Sequence, residues 1–235
     1  MYKNVLQDFK NPLSLPTFRT TECNMARIIR YIVLFAAAAF LGTAAEAQEN
    51  RKMSYRGFVG GMMLHSGYVR SHGFQVTSHS GAVHDISMAG APYGIGGAIR
   101  FLFGRHLRAG AEGYVSNLVF GKYRSHAETG WGGILADCAW DLKGCRLFVG
   151  GTVGGGSQTS TIILSPTGND YRTDDIAYRK SGFAALAPFA GVEISLTEKV
   201  DIMLKADWLL NLSSRQEDFV SGPRIYIGFM FGHRK

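Results

Sequence analysis

The chain has 235 residues, 25 Lys/Arg against 18 Asp/Glu for a net charge of +7, 46% apolar residues and a mean hydropathy of +0.01. That balance excludes a disordered polyelectrolyte. Charged residues at 18% fall below the ~25% of soluble domains, 30 Gly stand above the ~7% average, and no run of ~20 apolar residues follows residue 47, which excludes a bundle of membrane-spanning helices.

Residues 1–24 have no apolar period and are expected to be a mis-assigned or disordered leader, with translation starting at Met25. From there the chain reads Met-Ala-Arg-Ile-Ile-Arg, an apolar run from Tyr31 to Gly42, and Ala45-Glu46-Ala47. A basic start, a short apolar stretch and an A-x-A site, in that order, are the parts of a secretory signal peptide at 25–47. The run is too short to span a bilayer stably. The exported protein is therefore expected to begin near Gln48. N-terminal sequencing checks this, and a native terminus at Met1 or Met25 would contradict it.

After a short segment at 48–54, period-2 alternation recurs to residue 231. The clearest stretch is 200–212. Val200, Ile202, Leu204, Ala206, Trp208, Leu210 and Leu212 form one face, and Asp201, Lys205, Asp207 and Asn211 the other. At 107–119, Leu107, Ala109, Ala111, Val115 and Val119 oppose Arg108, Glu112, Tyr114 and Ser116. At 131–142, Ile134, Ala136, Cys138, Trp140 and Leu142 oppose Asp137 and Asp141; at 223–231, Ile225, Ile227, Phe229 and Phe231 oppose Arg224 and Tyr226. Weaker, Gly-diluted strands at 55–67, 92–103, 145–158 and 183–196 bring the number to eight.

The connections at 104–106, 141–144 and 197–199 have the length of tight hairpin loops, whereas those at 68–91, 120–130, 159–182 and 213–222 are longer and polar. In an up-and-down meander this puts every short turn at one end and every long loop at the other. Membrane barrels show that asymmetry, with apolar residues outside and polar ones inside. Periodicity alone does not separate this from a soluble barrel; the signal peptide, the loops and the aromatic positions favour the membrane. Phe101, Phe103, Trp140, Phe148, Phe229 and Phe231 fall toward the short-turn end, and Tyr68, Tyr93, Phe120, Trp131 and Phe183 toward the other, as two interfacial girdles would.

The layout of signal peptide, eight strands, tight turns and long loops resembles the small outer-membrane β-barrels of the OmpA/OmpX kind. The segments Arg56-Gly57-Phe58-Val59-Gly60-Gly61, Gly110-Ala111-Glu112-Gly113-Tyr114 and Gly222-Pro223-Arg224-Ile225-Tyr226-Ile227-Gly228-Phe229 are also similar to barrel-like domains. The resemblance implies an all-β, eight-stranded antiparallel up-and-down transmembrane barrel over 55–231. Barrels of that kind commonly end at an aromatic residue. Here Phe231 is followed by 232–235, expected to be a tail.

The inward face would collect Arg100, Arg108, Glu112, Asp137, Asp141, Arg146, Glu193, Lys205, Asp207 and Arg224. An eight-stranded barrel is just wide enough to be filled by its own side chains. Buried charges need partners, and the balance of signs suits an internal salt-bridge network. A proton or ion path, or an acid/base pair, is the functional alternative. His65, His72, His79 and His84 with Asp85 lie in or beside the first long loop, at spacings that match no defined metal site. His65-Ser66, Ser71-His72, His79-Ser80 and Ser125-His126 have the residue types of a lipid-modifying hydrolase but no acidic third member at fixed spacing. Gly150-Gly151 and Gly154-Gly155-Gly156 lack the Lys-Ser/Thr and helix of a phosphate-binding loop. Cys138 and Cys145 share one hairpin, where either a disulfide or two small apolar side chains fits.

The expectation is a non-enzymatic integral outer-membrane protein, acting structurally or through its surface loops, without cofactor or metal. Its partners would be outer-membrane lipid and a loop partner the sequence leaves unknown. Nucleic acid is not expected, because no Lys/Arg cluster of a basic footprint occurs. The alternatives are a soluble periplasmic β-barrel holding a small apolar ligand and a membrane-embedded lipid-modifying hydrolase.

Overall fold

The computed structural model describes residues 54–78, 81–164, 176–213 and 216–234. The expected leader, the signal peptide and the start near Gln48 lie outside these residues, as do His79-Ser80 and the middle of the 159–182 loop.

Eight strands form a ring: β1 Tyr55–Gly67, β2 Tyr93–Phe103, β3 Leu107–Phe120, β4 Ser125–Leu142, β5 Cys145–Ile163, β6 Ile176–Ser195, β7 Val200–Trp208 and β8 Pro223–Arg234. Each pairs antiparallel with its chain neighbours, and Leu210–Asn211 prolongs β7 against Ala185-Leu186 of β6. β8 returns to β1 in register from Gly57↔Arg234 to Gly67↔Arg224, which closes the up-and-down barrel. Closure removes the free edges of the ring, and above it residues 176–183 of β6 pair with β5 alone.

The alternation resolves into two opposite environments. Phe58, Met62, Leu64, Ile95, Ile99, Phe101, Val115, Ile134, Val153, Leu204, Ile225, Ile227, Phe229 and Phe231 point outward and are exposed, Ile134 to 75%. Arg100, Arg108, Glu112, Asp137, Glu193, Lys205, Asp207 and Arg224 point inward and are buried. This inverts the soluble arrangement, in which contiguous exposed apolar surface is limited to a few hundred Å². The eleven residues of β2 rise about 34 Å along the strand, and about 26 Å at a ~40° tilt, the height of a membrane barrel's apolar band.

Glycine thins the wall where the interior is crowded. A Cβ on Gly96 would strike the ring of Tyr114, and one on Gly94 the ring of His65. At Gly57 the β1–β2 register shifts, and its φ of 128° is open to glycine and costly for other residues.

Several boundaries differ from the sequence reading. The connection expected at 120–130 is a turn at 121–124, because β4 already starts at Ser125. β5 runs to Ile163 instead of 158, and β6 starts at Ile176 instead of 183. The added residues alternate, but with Ser, Thr and Ala among those inside and His126, Glu128, Tyr178 and Lys180 outside, so they lack the apolar face that marks a strand in sequence. β4, β5 and β6 thus rise well beyond the length of β2. The expected tail is strand as well: β8 continues through Gly232 and His233 to Arg234, with Gly57↔Arg234 the last pair, so the barrel extends past residue 231. Gly232 N–H also donates to Lys199 O.

The girdle assignment needs a second correction. Phe101, Phe229, Phe231, Tyr68 and Tyr93 are exposed, but Phe148, Phe120, Trp131 and Phe183 are buried inside. Their strand parity points them inward, where they pack the core with Val59, Met63, Leu135, Phe189 and Tyr226 or, for Phe120, a second cluster with Val69, Phe74, Met88 and Leu118.

That second cluster closes the long-loop end. Phe74–Thr77 pairs with Val83–Ile86 as a ribbon, and Val69–Arg70 pairs with Ala89–Gly90. Residues 216–222 fold into the mouth, where Phe219 stacks edge-on against Phe183 with ring centroids 4.9 Å apart. Gln158 grips it at two points: its amide Nε2 donates to Asp218 O at 2.6 Å, and its Oε1 accepts from Val220 N–H at 3.1 Å. Trp208 Nε1 donates to Ser221 Oγ at 3.0 Å.

Candidate functional site

The ten charged residues expected inside fall into two tiers. Near the short turns lies a chain of alternating sign: Arg100, Asp137, Arg108, Glu193, Arg146 and Asp141. Arg100 Nε donates to Asp137 Oδ2 at 3.0 Å, and Arg108 Nε donates to the other oxygen. Arg108 Nη1 reaches Glu193 Oε1 at 2.6 Å, Arg146 Nη1 reaches Glu193 Oε2 at 3.5 Å, and Arg146 Nε donates to Asp141 Oδ1 at 2.6 Å. Three of these links are direct cross-strand neighbours: Arg108↔Asp137, Glu193↔Arg146 and Asp141↔Arg146. Asp141 departs from the expected burial. Its side chain is exposed, because it sits on the last inward position before the Lys143-Gly144 turn.

The second tier lies at mid-height. Glu112 accepts from Lys205 Nζ at 2.8 Å, from Thr152 Oγ1 at 2.6 Å and from Tyr114 Oη at 3.1 Å. Asp207 takes a bidentate pair from Arg224, at 2.8 Å and 2.9 Å, and lies 3.8 Å from Lys205 Nζ. Asp207 and Arg224 are also direct cross-strand neighbours. Aromatic faces surround the cations. Lys205 Nζ is 4.4 Å from the centre of the Tyr226 ring and 4.7 Å from that of Tyr114. The Arg224 guanidinium is 5.2 Å from the Trp131 ring. Arg100 links the tiers, lying 5.4 Å from the Phe148 ring and 6.0 Å from the Phe189 ring.

Counting charges alone misses the uncharged half of this network. Thr152, Tyr114 and Tyr226 share its inward parity, and parity is the signal that finds them. Arg179 and Asp218 are missed for another reason: they sit on a strand extension and a connection that lack an apolar face, while Gln158 is the uncharged last residue of its expected strand. Arg179 pairs with Asp218 at 3.4 Å and lies 5.0 Å from the Phe74 ring.

The remaining candidates separate. His65 is buried against Tyr226 and Tyr114, at centroid distances of 4.9 Å and 5.8 Å, while Ser66 is exposed on the opposite face. Ser125 accepts from Ile163 N–H inside, and His126 points outward. Strand geometry sends consecutive side chains to opposite faces, so these dipeptides do not pair a hydroxyl with an imidazole. Ser71 Oγ donates to the backbone O of His72 and accepts from Met88 N–H. His72 is exposed; His84 and Asp85 lie in the ribbon, across from Val76 and Gln75. Among the described residues no three His, Cys, Asp or Glu side chains gather at metal-binding distance. Cys138 and Cys145 are not bridged.

Two hollows lined by described residues measure about 10 Å³, below the long-loop plug, and about 50 Å³, at the short-turn end. Small-molecule sites run to ~300–1,000 Å³.

No protein-family model matches the chain, and no curated protein matches it. Among solved structures it is similar to Neisserial surface protein A at 12% identity and a TM-score of 0.46, over 74% of this chain and 96% of that one. It is similar to Ail, the attachment invasion locus protein of Yersinia pestis, at 14% identity and a TM-score of 0.40, over 74% and 99%. The N-terminal β-barrel domain of Pseudomonas aeruginosa OprF gives 14% identity and a TM-score of 0.41, over 77% and 100%. The assignment of an eight-stranded antiparallel barrel rests on this chain's own strand register.

Proposed function

We propose that the chain is an integral outer-membrane barrel, non-enzymatic, that acts structurally or through its surface loops. One observation carries the reading: an uninterrupted apolar exterior around a charged, ion-paired interior. In water that arrangement wastes apolar burial outside and desolvates ions inside. In lipid the exterior is matched, and closure pairs the wall's backbone around the ring. The raised ends of β4, β5 and β6 carry polar residues outward and hold the loops clear of the apolar band. Contact with a partner of the adhesion or binding kind belongs there, since binding residues sit on loops held by a rigid scaffold.

Membrane fractionation combined with gel mobility tests the reading. The protein is expected in the detergent-extracted outer-membrane fraction and should migrate differently before and after boiling. Recovery in the soluble fraction without detergent would defeat it. In planar bilayers the wild-type protein is expected to give no steady, large conductance, because both ion-pair tiers and the plug at 216–222 occupy the lumen. A stable porin-like conductance would favour transport.

A further inference from the structure

The short-turn end of the barrel holds more positive charge than its own network uses. In the lower chain of ion pairs Arg100, Arg108 and Arg146 face Asp137, Glu193 and Asp141. Two further arginines stand beside it. Arg56 lies at the start of β1, at the register shift, and Arg105 lies in the turn between β2 and β3. Both are exposed, and neither has an ion pair among the described residues. Arg56, Arg105, His106, Arg108, Asp141 and Arg146 line the hollow of about 50 Å³.

Arg108 supplies a second, independent observation. It is only 2% exposed, and its Nε and Nη1 are used, yet Nη2 has no hydrogen-bond partner among the described residues. A buried guanidinium N–H without a partner is costly. Here it belongs to a residue that lines an open cleft carrying two arginines with no ion pair among the described residues. His106 is held in place, its Nδ1 donating to Ala139 O at 2.8 Å, and so helps to fix the cleft wall.

We propose that this cleft binds a phosphoryl group, with Arg56 and Arg105 closing on the anion from the rim and Arg108 Nη2 as the buried donor. The planar fork of arginine suits phosphate oxygens, and two spare positive charges match a phosphoryl anion without disturbing the paired residues. A lipid headgroup and free phosphate share this chemistry. The lipid source rests on the membrane reading above, and Tyr55, Phe101 and Phe231, exposed at the same end, would lie alongside its acyl chains.

The test uses the full mature protein, folded in a neutral detergent. Native mass spectrometry follows retention of phosphatidylglycerol against phosphatidylcholine, and calorimetric titration follows inorganic phosphate. The wild-type protein is expected to prefer the anionic lipid by about tenfold or more, as two charge-assisted donors would give. Arg56→Ala/Arg105→Ala should abolish the preference, and Arg56→Lys/Arg105→Lys should retain part of it. Unchanged heat-modifiable mobility shows that each variant is folded. Binding of phosphatidylglycerol alone identifies a headgroup site; competition by inorganic phosphate identifies a free-anion site; both support the cleft. Retention by the alanine variant equal to wild type, or no binding of either probe, overturns it. Should the chain prove soluble, the phosphate titration in plain buffer still decides the cleft while the membrane reading falls.

Discussion

Glu112→Ala is expected to lower the stability of the barrel by about 3–5 kcal/mol, the cost of breaking a buried ion pair from one side. Glu112 is 5% exposed and serves three donors. Its loss strands Lys205, whose other carboxylate, Asp207, is 3.8 Å away and already holds both prongs of Arg224. Thr152 loses the acceptor for its hydroxyl at the same time. The transition from folded to heat-denatured gel mobility, followed against temperature, reads the loss. The double variant Glu112→Ala/Lys205→Met should recover much of it, since removing both partners of a buried pair leaves no uncompensated charge. Conductance should stay closed in both, because Arg100, Phe148, Phe189 and Phe219 still fill the lumen. If Glu112→Ala melts with the wild type, the tier does not hold the barrel together.

How much of this was legible follows from what each signal measures. Period-2 alternation reports a contrast between faces, so it found the strands where Ile, Leu and Phe oppose Arg, Asp and Glu, as in 200–208 and 223–231. It stopped at Trp131, Gln158 and Phe183, where the contrast fades although the strand continues. Parity also placed the charged residues on one face, and tight turns fixed adjacent registers, so Asp141 opposite Arg146 follows from the 141–144 turn, whereas Arg108 opposite Asp137 depends on the 121–124 turn, which reads as a longer loop in the sequence. The bond from Lys205 to Glu112 does not. They lie on β7 and β3, and their meeting depends on the bore of the barrel and on which strand closes with which, neither of which a local pattern encodes. The aromatic girdles failed for a related reason. Nearness to a strand end says nothing of face, and Phe148, Trp131 and Phe183 sit on inward positions. The cleft at the short turns was hidden because Arg56 and Arg105 lie beyond the regular alternation, at a register shift and in a turn.

The exterior gives the other large effect. Reading across the wall at one height, Val115 pairs with Ile95, Ile95 with Leu64, Leu64 with Ile227, Ile227 with Leu204 and Leu204 with Val192. Ile227 is 56% exposed and Leu204 37%, in the middle of that apolar belt. Leu204→Arg and Ile227→Arg are each expected to cost about 2–4 kcal/mol at the bilayer midplane. As direct neighbours they should couple when combined, the two like charges adding repulsion. The control lies in the ribbon at the long-loop end. Phe74, Val76 and Met88 are buried in the long-loop cluster, so Thr77→Arg, on the exposed side of the ribbon, is the neutral change. Yield of the heat-modifiable form in outer membrane, or in lipid vesicles after refolding, provides the measurement. Both belt variants should fall well below wild type while Thr77→Arg matches it. A water-facing belt predicts the opposite, because an arginine replacing an exposed Leu or Ile in a soluble barrel is close to neutral. Assembly of both belt variants at wild-type yield would therefore mean that the apolar face does not meet lipid.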